Sequence, residues 1–361
     1  MPDLAVGALG DDTGGVYRGA VHVLFLRASV PSVSAAGING VGNPNRSQFA
    51  NLVLQFDQAV TVSSVTSLEI RNQATNSLVD ISTATLNGNG SNTLTWDVNA
   101  LSFADGYYTA KLPKNAAVNA QGMPLAATHA LLFHVLPGDS TGDAQVGFSD
   151  FGDLATNFNT IAGPLLGPGD MDGDGNVTFS DFGILATNFN RILTAPSIDF
   201  GDAPEVGTSF PTTLPTGARH VLGSGLFLGG SVDGELNGQP DSTASGDGAD
   251  EDGVAFAALQ AGTSAAVTVT ATVPGAAVLN AWIDFNADGD WDDPGEQVFV
   301  DRALTNGTNN LTVDVPSTAT PGPVFARFRV SSCAGHAYFG LATDGEVEDY
   351  HVTLLAAASR E

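Results

Sequence analysis

Most of the chain consists of short runs in which apolar and polar residues alternate, separated by turn signals. Alternation with a period of two places successive side chains on opposite faces of a strand, and Asn-Gly steps are typical of hairpin turns. The pattern predicts a mainly β protein built from antiparallel sandwiches, the first of them immunoglobulin-like. The clearest runs are 50–57, 67–72, 92–98, 107–113 and 130–136, followed by 266–273, 276–285 and 324–330.

Two segments show a helical pattern instead, and one is a copy of the other. Of the 21 positions in 139–159, 15 are identical in 170–190. Each copy ends in an apolar stripe at i, i+3, i+4 and i+7, which predicts a short helix with one buried side. We expect the stripes to pack against each other or a neighbour, with Val146 and Val177 in the same small core. The stripes are Phe151, Leu154, Ala155 and Phe158, and Phe182, Leu185, Ala186 and Phe189.

A chain of 361 residues exceeds one ordinary core, so several domains are expected. The alternating runs stop where the duplicated segment begins, and they resume after it. We therefore predict two antiparallel β-sandwich-like domains that flank a small α-helical module. The predicted boundaries are 1–28, 29–136, 137–191 and 197–355.

The chain is strongly acidic, with 39 Asp and Glu against 12 Lys and Arg and a formal net charge of −27. This charge repels nucleic acid and anionic membrane surfaces, and it makes cations the natural partners. Segment 138–190 holds eight Asp and no Lys, Arg or Glu, so no ion pair within it neutralises them. Since no run approaches the ~20 apolar residues of a membrane span, we expect no membrane insertion.

The acidic residues of the second copy have the spacing of an EF-hand loop. Counted from Asp170 as position 1, carboxylates fall at positions 1, 3, 5 and 12, with Gly175 at 6 and Asn176 at 7. Oxygen ligands at alternate positions converge on one calcium ion, glycine at 6 permits the sharp turn, and a carboxylate at 12 closes the sphere. The spacing predicts a calcium site here and in the first copy.

Neither copy has a helix before its loop, and both have Asp at position 12. Together with the duplication, these features resemble the dockerin type I module over 138–190. The resemblance implies two bound calcium ions and a cohesin-like or other surface protein as partner. It also implies the two ligand sets. They are Asp139, Thr141, Asp143, the Gln145 carbonyl and Asp150 for one ion, and Asp170, Asp172, Asp174, the Asn176 carbonyl and Asp181 for the other.

The two copies differ at positions that matter for calcium. In the first copy Thr141 replaces a carboxylate at position 3, and Ala144 replaces the glycine at position 6. A positive φ at Ala144 would cost about 1 kcal/mol, so we expect the first loop to bind calcium more weakly. Positions 10 and 11 are Phe-Ser in both copies, whereas dockerins commonly have small polar pairs there. Any partner is therefore expected to differ from a typical cellulosomal cohesin.

Three acidic motifs mark the last predicted domain: DFGDAPE at 199–205, AWIDFNADGDWDDPGEQVF at 281–299 and DGEVEDY at 344–350. They resemble the GEVED domain of large bacterial secreted and surface proteins. The middle motif is a further oxygen-rich loop whose closing acid stands at position 13, so we expect its geometry to differ from an EF-hand; a polar turn is the alternative. Its candidate calcium ligands are Asp284, Asn286, Asp288, Asp290 and Glu296. The remaining acids that could complete this site or form others are Asp247, Asp250, Asp252, Glu346, Glu348 and Asp349.

Residues 3–26 resemble a single FG-GAP repeat, the blade unit of integrin-type β-propellers. A propeller needs several blades to close, and the first residues show no signal-peptide pattern. We therefore expect either that this chain begins inside a longer protein or that its gene model starts late. The resemblances to FG-GAP, dockerin and GEVED indicate a protein that is secreted or displayed on the cell surface.

No residues stand out as catalytic. Cys333 is the single cysteine, and the six histidines include no pair at metal-ligand spacing. The sequence GDSTG at 138–142 matches the G-x-S-x-G nucleophile pattern, but the second copy has Met171 in place of Ser140. Nothing selects two carboxylates as a glycosidase pair. We expect a protein that is not an enzyme.

Two functions fit these features. The first is a calcium-binding, non-enzymatic module of a large secreted or cell-surface bacterial protein, acting in adhesion or extracellular assembly with a surface protein or an extracellular glycan. The alternative is the dockerin-bearing part of a polysaccharide-degrading glycoside hydrolase that docks onto a cohesin-like scaffold.

Overall fold

The computed structural model describes residues 29–161, 163, 166–205, 210–246, 248 and 250–358, together with the backbone of two strands near the amino terminus. Those strands, β1 (Leu4–Ala8) and β2 (Ala20–Leu24), pair antiparallel. The rest of the segment that resembles FG-GAP lies outside the described residues. The described chain is mainly β, as the sequence predicts, with two α-helices.

The first β-domain is an antiparallel sandwich. One sheet has the order β3–β4–β8–β7 and another β11–β9–β6, with the short pair β5 and β10 beside them. Each predicted run in 50–136 overlaps one of these strands to within one or two residues at its ends, so the period-two pattern located them correctly. The strands are β3 (Val33–Ile38), β4 (Asn51–Phe56), β5 (Val60–Val62), β6 (Glu69–Asn72), β7 (Thr85–Asn87), β8 (Thr93–Asp97), β9 (Gly106–Leu112), β10 (Ala117–Asn119) and β11 (His129–Val135), with 3-10 turns at Val65–Ser67 and Lys114–Ala116.

The inward faces of these sheets form one core. Trp96 and Tyr108 are almost fully buried in it, and each places its polar atom on a backbone carbonyl: Trp96 Nε1 donates to Val65 O at 3.0 Å, and Tyr108 Oη donates to Ala104 O at 2.8 Å. Large aromatic side chains can therefore be buried without an unpaired polar group. The helical module follows this sandwich in the chain.

The duplicated segment forms two loops, each followed by a helix, α1 (Phe148–Asn157) and α2 (Phe179–Asn188). Each loop is paired with the residues that follow the other helix. Val146 accepts from Asn190 N at 2.8 Å, and Val177 accepts from Asn159 N at 2.8 Å. This reciprocal pairing closes the module into a two-fold repeat, with Val146 and Val177 fully buried as expected.

The helical stripes are less buried than the sequence suggests. Leu154 and Leu185 lie in the module core with Leu136 and Met171. The phenylalanines of the stripes do not follow them, because a module this small buries only one position of each stripe. Those at least 38% exposed are Phe151, Phe158 and Phe182.

The last domain is a second, larger sandwich. A five-stranded sheet of order β16–β23–β21–β18–β19 faces a sheet in which β17 pairs with β14, β15 and β20. Pairing is antiparallel except for two short contacts, β13 with β22 and β16 with β23. The strands are β12 (Ile198–Phe200), β13 (Arg219–Val221), β14 (Phe227–Leu228), β15 (Val254–Phe256), β16 (Leu259–Gln260), β17 (Ser264–Thr272), β18 (Ala277–Ile283), β19 (Gln297–Leu304), β20 (Gly307–Asp314), β21 (Gly322–Ser331), β22 (Leu341–Ala342) and β23 (Glu346–Leu355).

Candidate metal centres

The closing carboxylate of the second loop is held against the start of that loop. Asp181, in the first turn of α2, is fully buried, and its Oδ1 accepts hydrogen bonds from Met171 N at 2.7 Å and Asp172 N at 3.1 Å. Its Oδ2 accepts from Thr178 N at 2.7 Å, which caps the helix. One side chain therefore ties the end of the loop back to its beginning.

The opening carboxylate of the same loop organises the turn. Asp170 is fully buried, and its two oxygens accept from Gly173 N at 2.8 Å and Gly175 N at 3.3 Å. Both glycines have positive φ, 71° and 85°, a region that residues with a Cβ rarely occupy. An oxygen each from Asp170, Asp172 and Asp181 lie within 4.8 Å of one another, which suits shared coordination of one cation.

The first loop repeats this geometry with the residues expected to weaken it. Asp150 Oδ1 accepts from Ser140 N at 2.8 Å and Thr141 N at 3.0 Å, as Asp181 does in the second loop. Ala144 has a φ of 64°, so a residue with a Cβ does occupy the left-handed conformation. Carboxylate oxygens of Asp139, Asp143 and Asp150 gather within 4.8 Å.

A histidine distinguishes the opening carboxylate of the first loop. His134 Nε2 lies 2.6 Å from Asp139 Oδ2, and both side chains are buried. This contact has no counterpart at Asp170 among the interactions of the described residues. A cation at the first loop must share Asp139 with this imidazole, which is a further reason for weaker binding there.

The loop in the last domain repeats the opening turn of the dockerin-like loops, and its closing acid is one position later. Asp284 Oδ1 accepts from Ala287 N at 2.7 Å and Oδ2 from Gly289 N at 3.1 Å, at positions 4 and 6 of the loop. Ala287 and Gly289 have φ of 63° and 96°. Positions 4 and 6 of this loop therefore make the same hydrogen bonds as in the two dockerin-like loops, and the expected difference in geometry lies at the closing acid.

Glu296 reaches this loop from a turn before β19 rather than from a helix. Its Oε1 accepts from Phe285 N at 3.2 Å and its Oε2 from Asp293 N at 3.3 Å. The longer glutamate side chain spans the extra position. Oxygens of Asp284, Asp288 and Glu296 lie within 4.8 Å of one another.

Burial leaves several of these carboxylates poorly stabilised by the protein alone. It raises the pKa of Asp170 to about 6, and the nearby carboxylates of Asp181 and Asp172 add to the increase. Burial likewise raises the pKa of Glu296 to about 7 and shifts the pKa of Asp284 upward. A bound divalent cation would favour the charged form of each group.

The remaining predicted ligands lie in these loops but outside the three carboxylate clusters. The side chains of Asp174 and Asn286 each accept a backbone N–H two residues further on, from Asn176 at 2.8 Å and Asp288 at 3.0 Å. Gln145 N donates to Asp143 Oδ1 at 3.0 Å, and Thr141 Oγ1 donates to Asp150 Oδ1 at 3.1 Å. Asp290 Oδ1 accepts from Asp292 N at 2.9 Å.

The third loop belongs to a recognisable domain. Residues 278–353 match the family model of the GEVED domain. The match contains all five predicted ligands of that loop and the DGEVEDY motif in β23. It does not extend to the module that resembles dockerin or to the segment that resembles FG-GAP.

Comparison with curated proteins finds no match. Among solved structures, the chain is similar to a chimeric titin Z1Z2 tandem functionalized with a GRGDS peptide from fibronectin, at 8% identity, TM-score 0.19 and coverage of 91% of this chain and 93% of that one. Titin domains Z1Z2 in complex with telethonin are similar at 8% identity and TM-score 0.17, covering 93% and 100%. For E. coli alpha-2-macroglobulin the values are 10%, 0.22, 90% and 26%.

A segment of the first sandwich that was not predicted from the sequence contacts both dockerin-like loops. Asn45 is fully buried, and its Nδ2 donates to Gly167 O at 2.9 Å and Asp170 O at 2.8 Å. Ser47 Oγ donates to Met171 O at 2.7 Å, and Arg46 N donates to Asp139 O at 2.8 Å. We call 43–48 the anchor segment; its polar composition, NPNRSQ, is also typical of an ordinary turn.

Proposed function

We propose that this chain is a calcium-binding, non-enzymatic part of a large secreted or cell-surface bacterial protein that acts in adhesion or extracellular assembly. The observation that carries the proposal is the shared geometry of three loops. In each loop a buried opening carboxylate accepts the N–H groups of positions 4 and 6, and a buried closing acid returns to the loop start. Carboxylates converging on one point in this way are suited to calcium.

Calcium in the two dockerin-like loops would stiffen the joint between the module and the first sandwich. The anchor segment binds backbone carbonyls at positions 1 and 2 of the loops, next to the proposed ligands. A calcium ion that restrains the backbone at those two loop positions would therefore also stabilise the hydrogen bonds to the anchor segment. The Arg191–Asp105 ion pair joins the same two bodies on the surface, although exposed pairs contribute little.

The calcium affinity expected for such loops suits the calcium concentration outside cells. Extracellular modules bind calcium with Kd of roughly 0.1–1 mM, so millimolar external calcium fills them. Filling one site at ten times its Kd adds about 1.4 kcal/mol of stability. With a single cysteine, the chain has no internal disulfide, and calcium would take that stabilising role. The resemblances to dockerin, GEVED and FG-GAP favour the same location.

A structural role for Ser140 supports the non-enzymatic proposal. This serine is fully buried, its Oγ donates to Asp153 Oδ2 at 3.0 Å, and it accepts from Gly169 N at 2.8 Å. A nucleophile must be exposed to its substrate. Neither helix in the described residues is long and apolar enough to cross a membrane, and membrane insertion forms no part of the proposal.

Thermal unfolding of the full chain tests the proposal. We expect calcium to raise the unfolding temperature, chelator to lower it, and Asp172→Asn to reduce the calcium-induced shift. In the wild-type chain Asp172 Oδ1 accepts a hydrogen bond from Asp174 N at 3.1 Å. An asparagine side chain retains an oxygen that can accept this bond, so the variant mainly removes the negative charge. The matched control is Asp314→Asn, on the exposed surface of β20. An unfolding temperature that does not change when calcium is added or removed would refute the proposal.

The exposed aromatic residues favour a second candidate function, docking onto a cohesin-like scaffold as part of a polysaccharide-degrading protein. Phe148 and Phe179, at position 10 of each loop, are 82% and 78% exposed. Phe148 lies edge-on to Phe189 at 5.2 Å, and Phe179 to Phe158 at 5.0 Å. The repeat therefore presents two equivalent apolar surfaces, a feature of protein interaction sites. Binding to a cohesin domain, lost in Phe148→Ser with Phe179→Ser, would support this function, and no binding would exclude that partner.

A further inference from the structure

A fourth group of buried acids lies in the last domain, away from the three loops. It joins Asp199 in β12, Asp250 in the connection before β15, and Glu346 at the start of β23. One oxygen of each lies within 4.8 Å of the others. The three residues are 2%, 9% and 1% exposed, so this group is more deeply buried than the loop clusters.

One oxygen of this group lacks a partner. Asp250 Oδ2 accepts from Asp233 N at 3.1 Å. Asp250 Oδ1 is buried and accepts no hydrogen bond in the described part of the chain. A buried carboxylate oxygen without a donor is costly, and folded proteins rarely retain one unless an ion or a water satisfies it.

Backbone donors fix the other two carboxylates. Val347 N donates to Asp199 Oδ2 at 2.7 Å, and Leu228 N donates to Glu346 Oε2. Both donors belong to or border the strands that surround the group. The orientation of the acids is therefore set by the fold and does not depend on their mutual repulsion.

Of the three acids, Asp199 interacts electrostatically with Arg329. Among the described residues, neither Asp250 nor Glu346 forms an ion pair with Lys or Arg. Arg327 is bound to Asp349 at 2.7 Å, and Arg329 donates to His220 Nε2 at 3.0 Å and to carbonyls. A fourth acid, Glu348, is 1% exposed on the same strand. Burial raises the pKa of the Glu346 carboxyl above its usual range, and the charge of Glu348 adds to the increase.

We propose that Asp199, Asp250 and Glu346 bind one divalent cation of the hard, oxygen-preferring class, calcium in an extracellular setting. Buried carboxylates this close together favour a bound cation, and Asp250 Oδ1 has no hydrogen-bond partner among the described residues that a cation would have to displace. Calcium accepts carboxylates from separate segments at flexible angles, whereas magnesium demands near-octahedral geometry and retains water.

Such an ion would fasten the acidic connection 229–253 to β12 and β23. Two of its ligands, Asp199 and Asp250, precede the matched segment 278–353, and only Glu346 lies within it. The GEVED segment would therefore depend on the residues before it to complete a cation site. This inference does not rest on the loop sites, since the group shares no residue with them.

Counting bound calcium in the full chain tests the site. By equilibrium dialysis with elemental detection, we expect four ions per wild-type chain, one for each carboxylate group, and one fewer in Asp250→Asn. The control is Asp241→Asn, an exposed acid in the same connection whose carboxylate accepts from Thr243 N, and its count should stay at the wild-type value. A count unchanged by Asp250→Asn overturns the inference, even if the three loops bind calcium.

Hydrogen exchange provides a second measurement that does not need an Asp250 variant. In a chain with Asp150→Asn, Asp181→Asn and Glu296→Gln, calcium at ten times its Kd should slow exchange of Leu228 and its neighbours about tenfold. No change at these amides overturns the inference, and slowing by magnesium but not calcium overturns the choice of ion. If calcium slows exchange at these amides but the three loops of the wild-type chain bind no calcium, the proposed function is refuted and the inference of a fourth site is retained.

Discussion

Placing alanine at position 6 of the second loop should weaken the module by a magnitude that follows from the backbone. Gly175 has a φ of 85°, and a Cβ built there would lie 3.0 Å from Gly163 O. The left-handed conformation costs a residue with a Cβ about 1 kcal/mol. Gly175→Ala reproduces in the second loop the residue that the first loop already has, Ala144 at a φ of 64°.

The matched control is the same change at Gly183, inside α2. Nothing lies within 4 Å of a Cβ built there, and alanine favours a helix interior over glycine by about 0.5–1 kcal/mol. The two substitutions add the same methyl group to neighbouring parts of one module. Their effects on stability should nevertheless have opposite signs.

Native-state hydrogen exchange of the α2 amides in the full chain measures both effects locally. We expect exchange about fivefold faster in Gly175→Ala and up to fivefold slower in Gly183→Ala, since about 1 kcal/mol corresponds to that factor. Equal rates in wild type and Gly175→Ala would show that the loop does not hold the left-handed turn. A faster rate in Gly183→Ala would contradict the helix assignment.

Three further predictions concern the loops, the anchor segment and the histidines. Thr141→Asp restores a carboxylate at position 3 and should tighten calcium binding at the first loop about tenfold, as measured by calorimetric titration; unchanged binding would contradict the assignment of position 3. Asn45→Ala removes a hydrogen-bond donor from the buried Asp170 carbonyl and should lower the free energy of unfolding by about 1–3 kcal/mol, as measured by chemical denaturation. A decrease below 0.5 kcal/mol, on the order of a surface substitution, would show that the anchor contacts are dispensable. Burial lowers the pKa of His129 to about 4, so its neutral form stabilises the fold fully above pH 6.5 and this contribution is lost as the pH falls towards 4. The free energy of unfolding should therefore decline less steeply over that pH range in His129→Gln than in wild type. An identical decline in both proteins would contradict the burial of a neutral imidazole.

The sequence predicted the β-strands and the loops because both have short periods that a single run of residues displays. Alternation located strands such as β4 and β17, and ligand spacing located the opening and closing acids of two loops. The left-handed turn at Ala144 followed from its position alone. In these cases local sequence and final structure obey the same constraint.

Contacts between distant segments could not be predicted in this way. An apolar stripe does not reveal which of its residues meets a neighbour, so Phe151 and Phe182 were expected in the core and are instead 42% exposed. The His134–Asp139 contact and the anchor segment depend on how two domains meet. The Asp199 group depends on two strands, β12 and β23, converging with the connection before β15, which no spacing in the sequence shows.

Calorimetric calcium titration of the full chain, beside a variant with Asp150→Asn and Asp181→Asn, tests the central claim most directly. The account predicts two fewer calcium ions bound in the variant, with the first loop as the weaker of the two sites in wild type. The same number of ions bound by both proteins would contradict it, since the closing aspartates would then have no part in holding calcium.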